Sequence, residues 1–130
     1  MPHFTFEYSA NVAELVDLKK MATLIRDTAL DTGFFELGAV RVRGVRCDVY
    51  TVADDLPDNG FIDLSLRLGQ GRSDADKKLI GDAIFAALEQ YLAAPLATEH
   101  FALSFEVREI NSALSYKRNA IHPRIRNAVS

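Results

Sequence analysis

The chain contains 130 residues, of which 48% are hydrophobic and 25% are charged, and its formal net charge is −3. These proportions are typical of a globular domain with a buried core, and the lack of a basic surplus argues against a nucleic-acid partner. No apolar stretch approaches the roughly 18 residues of a membrane span, and the start lacks a signal-peptide pattern. We therefore expect a cytoplasmic protein.

The amino terminus offers a candidate proton acceptor. Aminopeptidases readily remove an initiator Met that precedes Pro, and the mature chain would then begin with the secondary amine of Pro2. The reference pKa of an α-amine is roughly 7.7–8.0, so burial or nearby cations suffice to make it neutral near pH 7. Many chains begin Met-Pro without using it chemically, and a retained Met1 would make this nitrogen an amide without basicity.

A first strand–helix–strand unit follows. Residues 3–8 alternate as a strand, and Asn11 with Glu14 forms a capping-box pattern that predicts a helix start. Gly33 is expected to end this helix. The next strand shifts its apolar parity at Gly44, which predicts a bulge or bend there. The predicted apolar stripe of the helix consists of Leu15, Leu18, Ala22, Ile25 and Ala29.

The plan then repeats after a turn-rich connector over residues 53–60. Residues 62–68 alternate as a strand, Ser73 with Asp76 forms a second capping-box pattern, and Pro95 marks a helix stop. Residues 101–108 alternate again. We predict one domain over residues 1–130, with pseudo-repeats at about 2–52 and 60–110 and a polar extension at 111–130. The second helical stripe consists of Ile80, Ile84, Ala87 and Tyr91.

Two βαβ units predict an α+β (α/β) fold. Right-handed crossovers make the strands within each unit parallel, and pairing the units gives a four-stranded sheet with two helices on one face. Because the strands also carry bulky residues such as Tyr8 and Tyr50, we expect other copies of the chain to cover the second face.

Clustered arginines favour a small anionic ligand. Arg41 and Arg43 lie two apart on a strand and therefore project from one face, where acids such as Glu7 or Asp63 are alternative partners. Gly69-Gln70-Gly71-Arg72-Ser73 precedes a helix, so its backbone amides and Arg72 are suited to a carboxylate, although the segment also reads as a plain turn.

Metal and nucleophile chemistry have no local signature. Cys47 is the single cysteine, and His3, His100 and His122 show no metal-ligand spacing. We expect no metal and no cofactor.

Several of these segments together resemble the 5-carboxymethyl-2-hydroxymuconate isomerase family of the tautomerase superfamily, which also contains 4-oxalocrotonate tautomerase and macrophage migration inhibitory factor. The similarity runs over nearly the whole chain. It is carried by Pro2-His3-Phe4, Thr32-Gly33-Phe34-Phe35, the 69–73 turn, Ala102-Leu103-Ser104-Phe105-Glu106, and Ser115-Tyr116-Lys117 through His122.

The resemblance implies a homotrimer with Pro2 as the catalytic base and with Arg41 and Arg72 binding substrate carboxylates. Arg43 also matches an arginine of relatives. The implied reaction is ketonisation of a di- or tricarboxylate dienol in the breakdown of homoprotocatechuate, a 4-hydroxyphenylacetate intermediate. The tail beyond Pro123 has no clear family match.

Two other functions stay open from the sequence. The same trimeric scaffold could serve as a non-catalytic binding module, which would tolerate Met1. A related hydratase or dehalogenase could share the amino-terminal proline.

Overall fold

A four-stranded mixed sheet organises residues 1–129, the part of the chain that the computed structural model describes. Its strands are β1 (His3–Ser9), β2 (Arg41–Cys47), β3 (Gly60–Gly69) and β4 (Phe101–Ile110), in the order β2-β1-β3-β4. The helices are α1 (Leu18–Asp31), α2 (Asp74–Tyr91), the short α3 (Ala93–Leu96) and α4 (Ile121–Val129). Short 3₁₀ turns lie at Ala10–Glu14, Leu37–Ala39 and Ser112–Leu114.

The strand directions confirm the predicted α+β fold. β1 is parallel to β2, β3 is parallel to β4, and β1 pairs with β3 antiparallel at the centre of the sheet. The helices α1 and α2 contact each other and bury their apolar stripes against one sheet face. Each half of the sheet therefore comes from one strand–helix–strand unit.

The core lies between this sheet face and the two helices. Alternate residues of β1 and β3 are buried because strand side chains alternate between faces, and every third or fourth residue of α1 and α2 meets them. The fully or almost fully buried members are Phe4, Phe6, Ile62, Leu64, Leu66, Leu68, Met21, Ile25, Ala29, Ile80, Ile84 and Leu88.

The predicted start of the first helix is wrong. The cap of α1 is Asp17, whose carboxylate accepts a hydrogen bond from the Lys20 N–H at 3.0 Å. Asn11 is used elsewhere, because its Nδ2 donates to the Asn59 carbonyl at 2.9 Å and its Oδ1 accepts from the Ser9 hydroxyl at 2.7 Å. Leu15 lies between the 3₁₀ turn and α1 and is 65% exposed, so it does not belong to the helix stripe.

Other local predictions are confirmed. The Ser73 hydroxyl accepts from the Asp76 N–H at 3.1 Å and caps α2. Gly33 follows α1 with φ of +82°, the left-handed conformation that glycine adopts without strain.

The predicted bulge at Gly44 is also wrong. Residues 41–47 pair with β1 in unbroken register, and Gly44 lies opposite Phe6. A Cβ at Gly44 would lie 2.5 Å from Cε2 of the Phe6 ring, so the ring occupies the space of a side chain. The change of the apolar residues from even to odd positions at Gly44 therefore reflects the packing of Gly44 against the Phe6 ring rather than an inserted residue.

The sheet face without helices is polar. Strand register places Glu7 beside Asp63, and Thr5 between Arg43 and Ser65 on this face. The expectation that Tyr8 lies there is wrong, since its ring packs 6.0 Å from that of Phe6 on the helix side. Tyr50 follows β2 and contacts the Phe61 ring edge-on.

The carboxyl-terminal extension was predicted only as a polar segment, and its helix α4 was missed. It folds back onto the 3₁₀ turn at Leu37–Ala39. Ser130, the last residue of the predicted extension, lies outside the described residues.

Replacing Gly44 with Ala should test the packing against Phe6. We expect G44A to lower the free energy of unfolding by about 1–3 kcal/mol, because the new methyl group overlaps an aromatic ring held in the core. The matched control is G81A in α2, where a Cβ would lie 3.6 Å from the Val107 side chain, an ordinary contact. That control should stabilise by about 0.5–1 kcal/mol, as Ala does within helices. Urea denaturation measures both, and equal effects would contradict the packing argument.

Candidate active site

The strand directions bring distant parts of the chain to one end of the sheet. His3 near the start of β1 lies opposite Arg41 at the start of β2 and opposite Arg67 near the end of β3. Because β1 and β3 run in opposite directions, the amino terminus lies beside the 69–73 turn. The segment that follows β4 begins at the same end, since β4 is parallel to β3.

Pro2 is buried at the head of β1, and its carbonyl accepts a hydrogen bond from the Arg41 N–H at 3.3 Å. Met1 precedes it, so the Pro2 nitrogen is an amide and the free amine belongs to Met1. This amine lies beside the backbone of Gly69, at 3.9 Å from the position of a Cβ on that residue. Removal of Met1 would expose the Pro2 nitrogen next to the same groups.

Two predicted arginines meet at this amino terminus. The Arg41 guanidinium contacts the Met1 thioether through Nη1. Arg72 donates to the carbonyls of Gly69 at 3.5 Å and Phe34 at 3.2 Å, and its guanidinium carbon lies 5.0 Å from the centre of the Phe35 ring. Neutral carbonyls and an aromatic face orient Arg72 without cancelling its charge.

The helix amino terminus after the 69–73 turn is less suited to an anion. The first turn of α2 carries Asp74 and Asp76, and Ser73 already satisfies the Asp76 N–H. Two carboxylates at this position oppose the attraction of the helix dipole for another anion. The charge that this segment offers a ligand is therefore the Arg72 side chain.

The surroundings of the Met1 amine favour its neutral form. Its pKa is lowered from 8.0, first by burial and then by the positive charges of Lys117, Arg72 and Arg41. Within residues 1–129, no carboxylate forms a salt bridge with any of these three cations. Burial disfavours the ammonium ion, and so do neighbouring like charges.

Three residues of the site were not singled out from the sequence. A cavity of about 480 Å³ next to Met1 is lined by His3, Arg67 and Lys117, together with other residues at and after the end of β4, whereas Arg41 and Arg72 are not among its lining residues. His3 and Arg67 could have been found from the strand register, because strand pairing places Arg41, His3 and Arg67 side by side across the sheet. Lys117 comes from the carboxyl-terminal extension, for which the pattern gave no position.

The surroundings of His3 favour its neutral form. Its pKa is lowered first by burial and then by the charges of Arg67, Arg41 and Arg43. Its Nδ1 is buried and has no hydrogen-bond partner among the described residues. A neutral imidazole adds a polar group to the cavity without adding charge.

Arg43 lies outside the cluster around the amine. Its side chain is exposed two residues beyond Arg41 on β2, beside Thr5. Its charge acts on His3, and it is not among the cations that shift the Met1 amine.

A second cavity, of about 460 Å³, lies at the opposite end of the sheet and is lined by Asn11, Leu15 and His100 among others. Glu14 and Asp58 also line it, so it is unsuited to a polycarboxylate. Among residues 1–129 there is no grouping of His, Cys, Asp or Glu arranged to hold a metal ion. No helix in that range has the length and apolarity to cross a membrane.

Taken together, a neutral amine surrounded by guanidinium and ammonium groups can remove a proton from a bound polyanion. The cations hold the anion and stabilise negative charge that develops during proton transfer, and the amine accepts the proton.

Comparisons with known proteins point to one family. A sequence model of the 5-carboxymethyl-2-hydroxymuconate isomerase family matches residues 2–125. The 5-carboxymethyl-2-hydroxymuconate Delta-isomerase of Escherichia coli is 33% identical over 122 residues, which cover 94% of this chain and 97% of the relative.

Solved structures agree in fold. A 5-carboxymethyl-2-hydroxymuconate isomerase from Deinococcus radiodurans R1 superimposes with a TM-score of 0.88 at 36% identity, covering 95% of this chain and 93% of that one. A symmetric trimer of wild-type fused 4-OT (4-oxalocrotonate tautomerase) superimposes with a TM-score of 0.62 at 13% identity, covering 89% and 93%. The latter similarity shows the shared tautomerase fold alone.

The amine at the amino terminus should titrate below pH 8.0. In a preparation that retains Met1, we expect half-maximal acylation of this amine below that pH, because burial and three cations disfavour protonation. R72M should move the midpoint to higher pH by removing one cation, whereas R26M, on the outer side of α1, should leave it in place. Mass spectrometry of the amino-terminal peptide after pulsed acylation gives the midpoint, and a value at or above 8.0 would contradict the argument.

Proposed function

The chain belongs to the 5-carboxymethyl-2-hydroxymuconate isomerase family and is an isomerase, and we propose that it ketonises a carboxylated dienol without a cofactor. The substrate class is a di- or tricarboxylate such as 5-carboxymethyl-2-hydroxymuconate. The observation that carries this proposal is the partly buried Met1 amine, whose pKa is lowered by Arg41, Arg72 and Lys117, none of which is neutralised by a carboxylate of residues 1–129.

In the proposed mechanism, Pro2 is the base once Met1 has been removed. Its neutral nitrogen takes the proton of the 2-hydroxyl group, the oxygen becomes a carbonyl, and the electron pair moves along the conjugated system. A proton is then delivered to a carbon at the far end, so that the reaction is an isomerisation with no net gain or loss of atoms. General acid–base catalysis of this kind is consistent with a single group that accepts and returns one proton.

The arginines have two proposed tasks. Arg41 and Arg72 bind substrate carboxylates with the forked geometry that guanidinium groups offer. Their charges also hold down the pKa of the base, as they do for the Met1 amine. Arg43, two residues beyond Arg41 on β2, is proposed to add to the positive field rather than to bind the substrate directly.

Retention of Met1 should abolish this activity for two physical reasons. An acylated Pro2 nitrogen is an amide and accepts no proton at neutral pH. In addition, the Met1 thioether lies against the Arg41 guanidinium, where a substrate carboxylate would bind. Amino-terminal processing is therefore a requirement of the proposed mechanism.

We infer a homotrimer in which residues 1–130 of each copy act as one domain. Support comes from the fused 4-OT structure of the same fold, which is a symmetric trimer, and the polar sheet face without helices adds none of its own. The family assignment favours the isomerase over a non-catalytic binding module and over a hydratase or dehalogenase.

The role of Pro2 can be tested by changing its amine. P2A should retain part of the activity on 5-carboxymethyl-2-hydroxymuconate, because a primary amine remains after Met1 removal. A chain that retains Met1, confirmed by mass spectrometry, should lose nearly all activity. Loss of the dienol ultraviolet absorbance measures turnover, and full activity with the amine blocked would exclude Pro2 as the base.

The carboxylate-binding role of Arg72 gives a separate expectation. R72A should lower kcat/KM by about ten- to hundredfold, the value of a charged hydrogen bond of roughly 1.5–3 kcal/mol. R26A serves as the control, since Arg26 pairs with Asp27 on the exposed side of α1. Unchanged kcat/KM in a folded R72A protein would remove Arg72 from the site.

A further inference from the structure

The segment that follows β4 connects the two turns that precede the site arginines. We call residues 112–120 the strap. At its start, the Ser112 N–H and hydroxyl both donate to Gln70 Oε1, at 3.1 and 2.8 Å, in the turn that precedes Arg72. At its end, Asn119 Nδ2 donates at 2.8 Å to the carbonyl of Gly38, in the 3₁₀ turn that precedes Arg41.

Helix α4 holds the far end of the strap in place. Arg126 forms a two-pronged ion pair with Glu36 at 2.9 and 2.7 Å, and this pairing lowers the pKa of the Glu36 carboxyl. His122 packs so closely on Gly38 that a Cβ there would lie 2.7 Å from its Nδ1. The strap is therefore fixed at both ends, and between them its residues line the cavity next to Met1.

Lys117 lies within the strap and lines the cavity next to Met1, His3 and Arg67. Among residues 1–129 its ammonium group has no carboxylate partner. Lys117 and its neighbour Arg118 are both exposed, but only Lys117 lines the cavity. Lys117 and Arg67 are thus the cations that line this cavity, and Arg41 and Arg72 act on the same Met1 amine without being among the lining residues.

We propose that Lys117 binds the third carboxylate of a tricarboxylate substrate and thereby distinguishes it from dicarboxylates. This inference rests on the proposed function, in which Arg41 and Arg72 hold the two carboxylates of the conjugated chain. A carboxymethyl branch is attached through a flexible methylene group. The long lysine side chain places a positive charge on a flexible stem, which can reach such a carboxylate.

The experiment compares K117M with wild type on two substrates, 5-carboxymethyl-2-hydroxymuconate and the same dienol without the carboxymethyl group. We expect kcat/KM for the triacid to fall about ten- to hundredfold, mainly through KM, as for loss of a charged contact. The value for the diacid should stay within about twofold. K117R should recover most of the loss, and R118M, which removes the same charge one residue away, should behave as wild type.

Rates are compared on the plateau above the acid limb of the pH profile. Lys117 also lowers the pKa of the terminal amine, so its removal shifts that limb to higher pH for both substrates. On the plateau the base is neutral in every variant, and only the substrate contact differs. An equal loss for both substrates, or no loss for either, overturns the proposal.

A binding measurement separates this proposal from the proposed function. Calorimetry with adipate and with its carboxymethyl derivative, which cannot be ketonised, should show that K117M weakens only the tricarboxylate. If wild type turns over neither dienol and this selective weakening is still found, the proposed reaction is wrong and the Lys117 assignment stands. If turnover is found but the two acids bind K117M with unchanged relative affinity, the Lys117 assignment is wrong. Thermal denaturation confirms that each variant is folded.

Discussion

The antiparallel pairing of β1 with β3 is the constraint on which the site depends. It sets the amino terminus beside the end of β3. The two parallel pairings then bring the start of β2 and the end of β4 to the same end of the sheet. A parallel arrangement of these central strands would separate Pro2 from the 69–73 turn by the length of the sheet. The core residues of β1 and β3 hold this register firmly, because a slip by one residue would expose all of them.

Positive charge accumulates at this end of the sheet, and no carboxylate of residues 1–129 forms a salt bridge with Arg41, Arg72 or Lys117. Assembling guanidinium and ammonium groups around a partly buried amine opposes folding, since like charges repel and burial removes hydration. The structure limits this cost by orienting Arg72 with carbonyls and an aromatic ring and by keeping His3 neutral. The remaining positive potential is available to a polyanion, whose binding would relieve the repulsion.

Much of the fold followed from the sequence because it depends on local patterns. Alternation in β1 and β3, the Ser73 cap and the Gly33 helix end each arise from interactions between residues close in the chain, and the structure contains all of them. The errors arise from contacts between distant residues. Asn11 does not cap a helix as predicted, because its side chain donates a hydrogen bond to the carbonyl of Asn59. Position 44 is a glycine because the Phe6 ring on the neighbouring strand occupies the space of a side chain. Lys117 could not be placed because its position depends on Gln70 and Gly38, far away in sequence. Arg41, Arg72 and the amino terminus were anticipated together through the family resemblance.

The position of the strap also bears on the order of events during synthesis. Residues 112–120 leave the ribosome long after β1, so Met1 stays uncovered while most of the chain is made. Only when the strap and α4 dock on the finished sheet does the pocket acquire its outer wall. An aminopeptidase acting on nascent chains would therefore meet the terminus before the strap docks, whereas one acting after release would meet it beside a tethered segment.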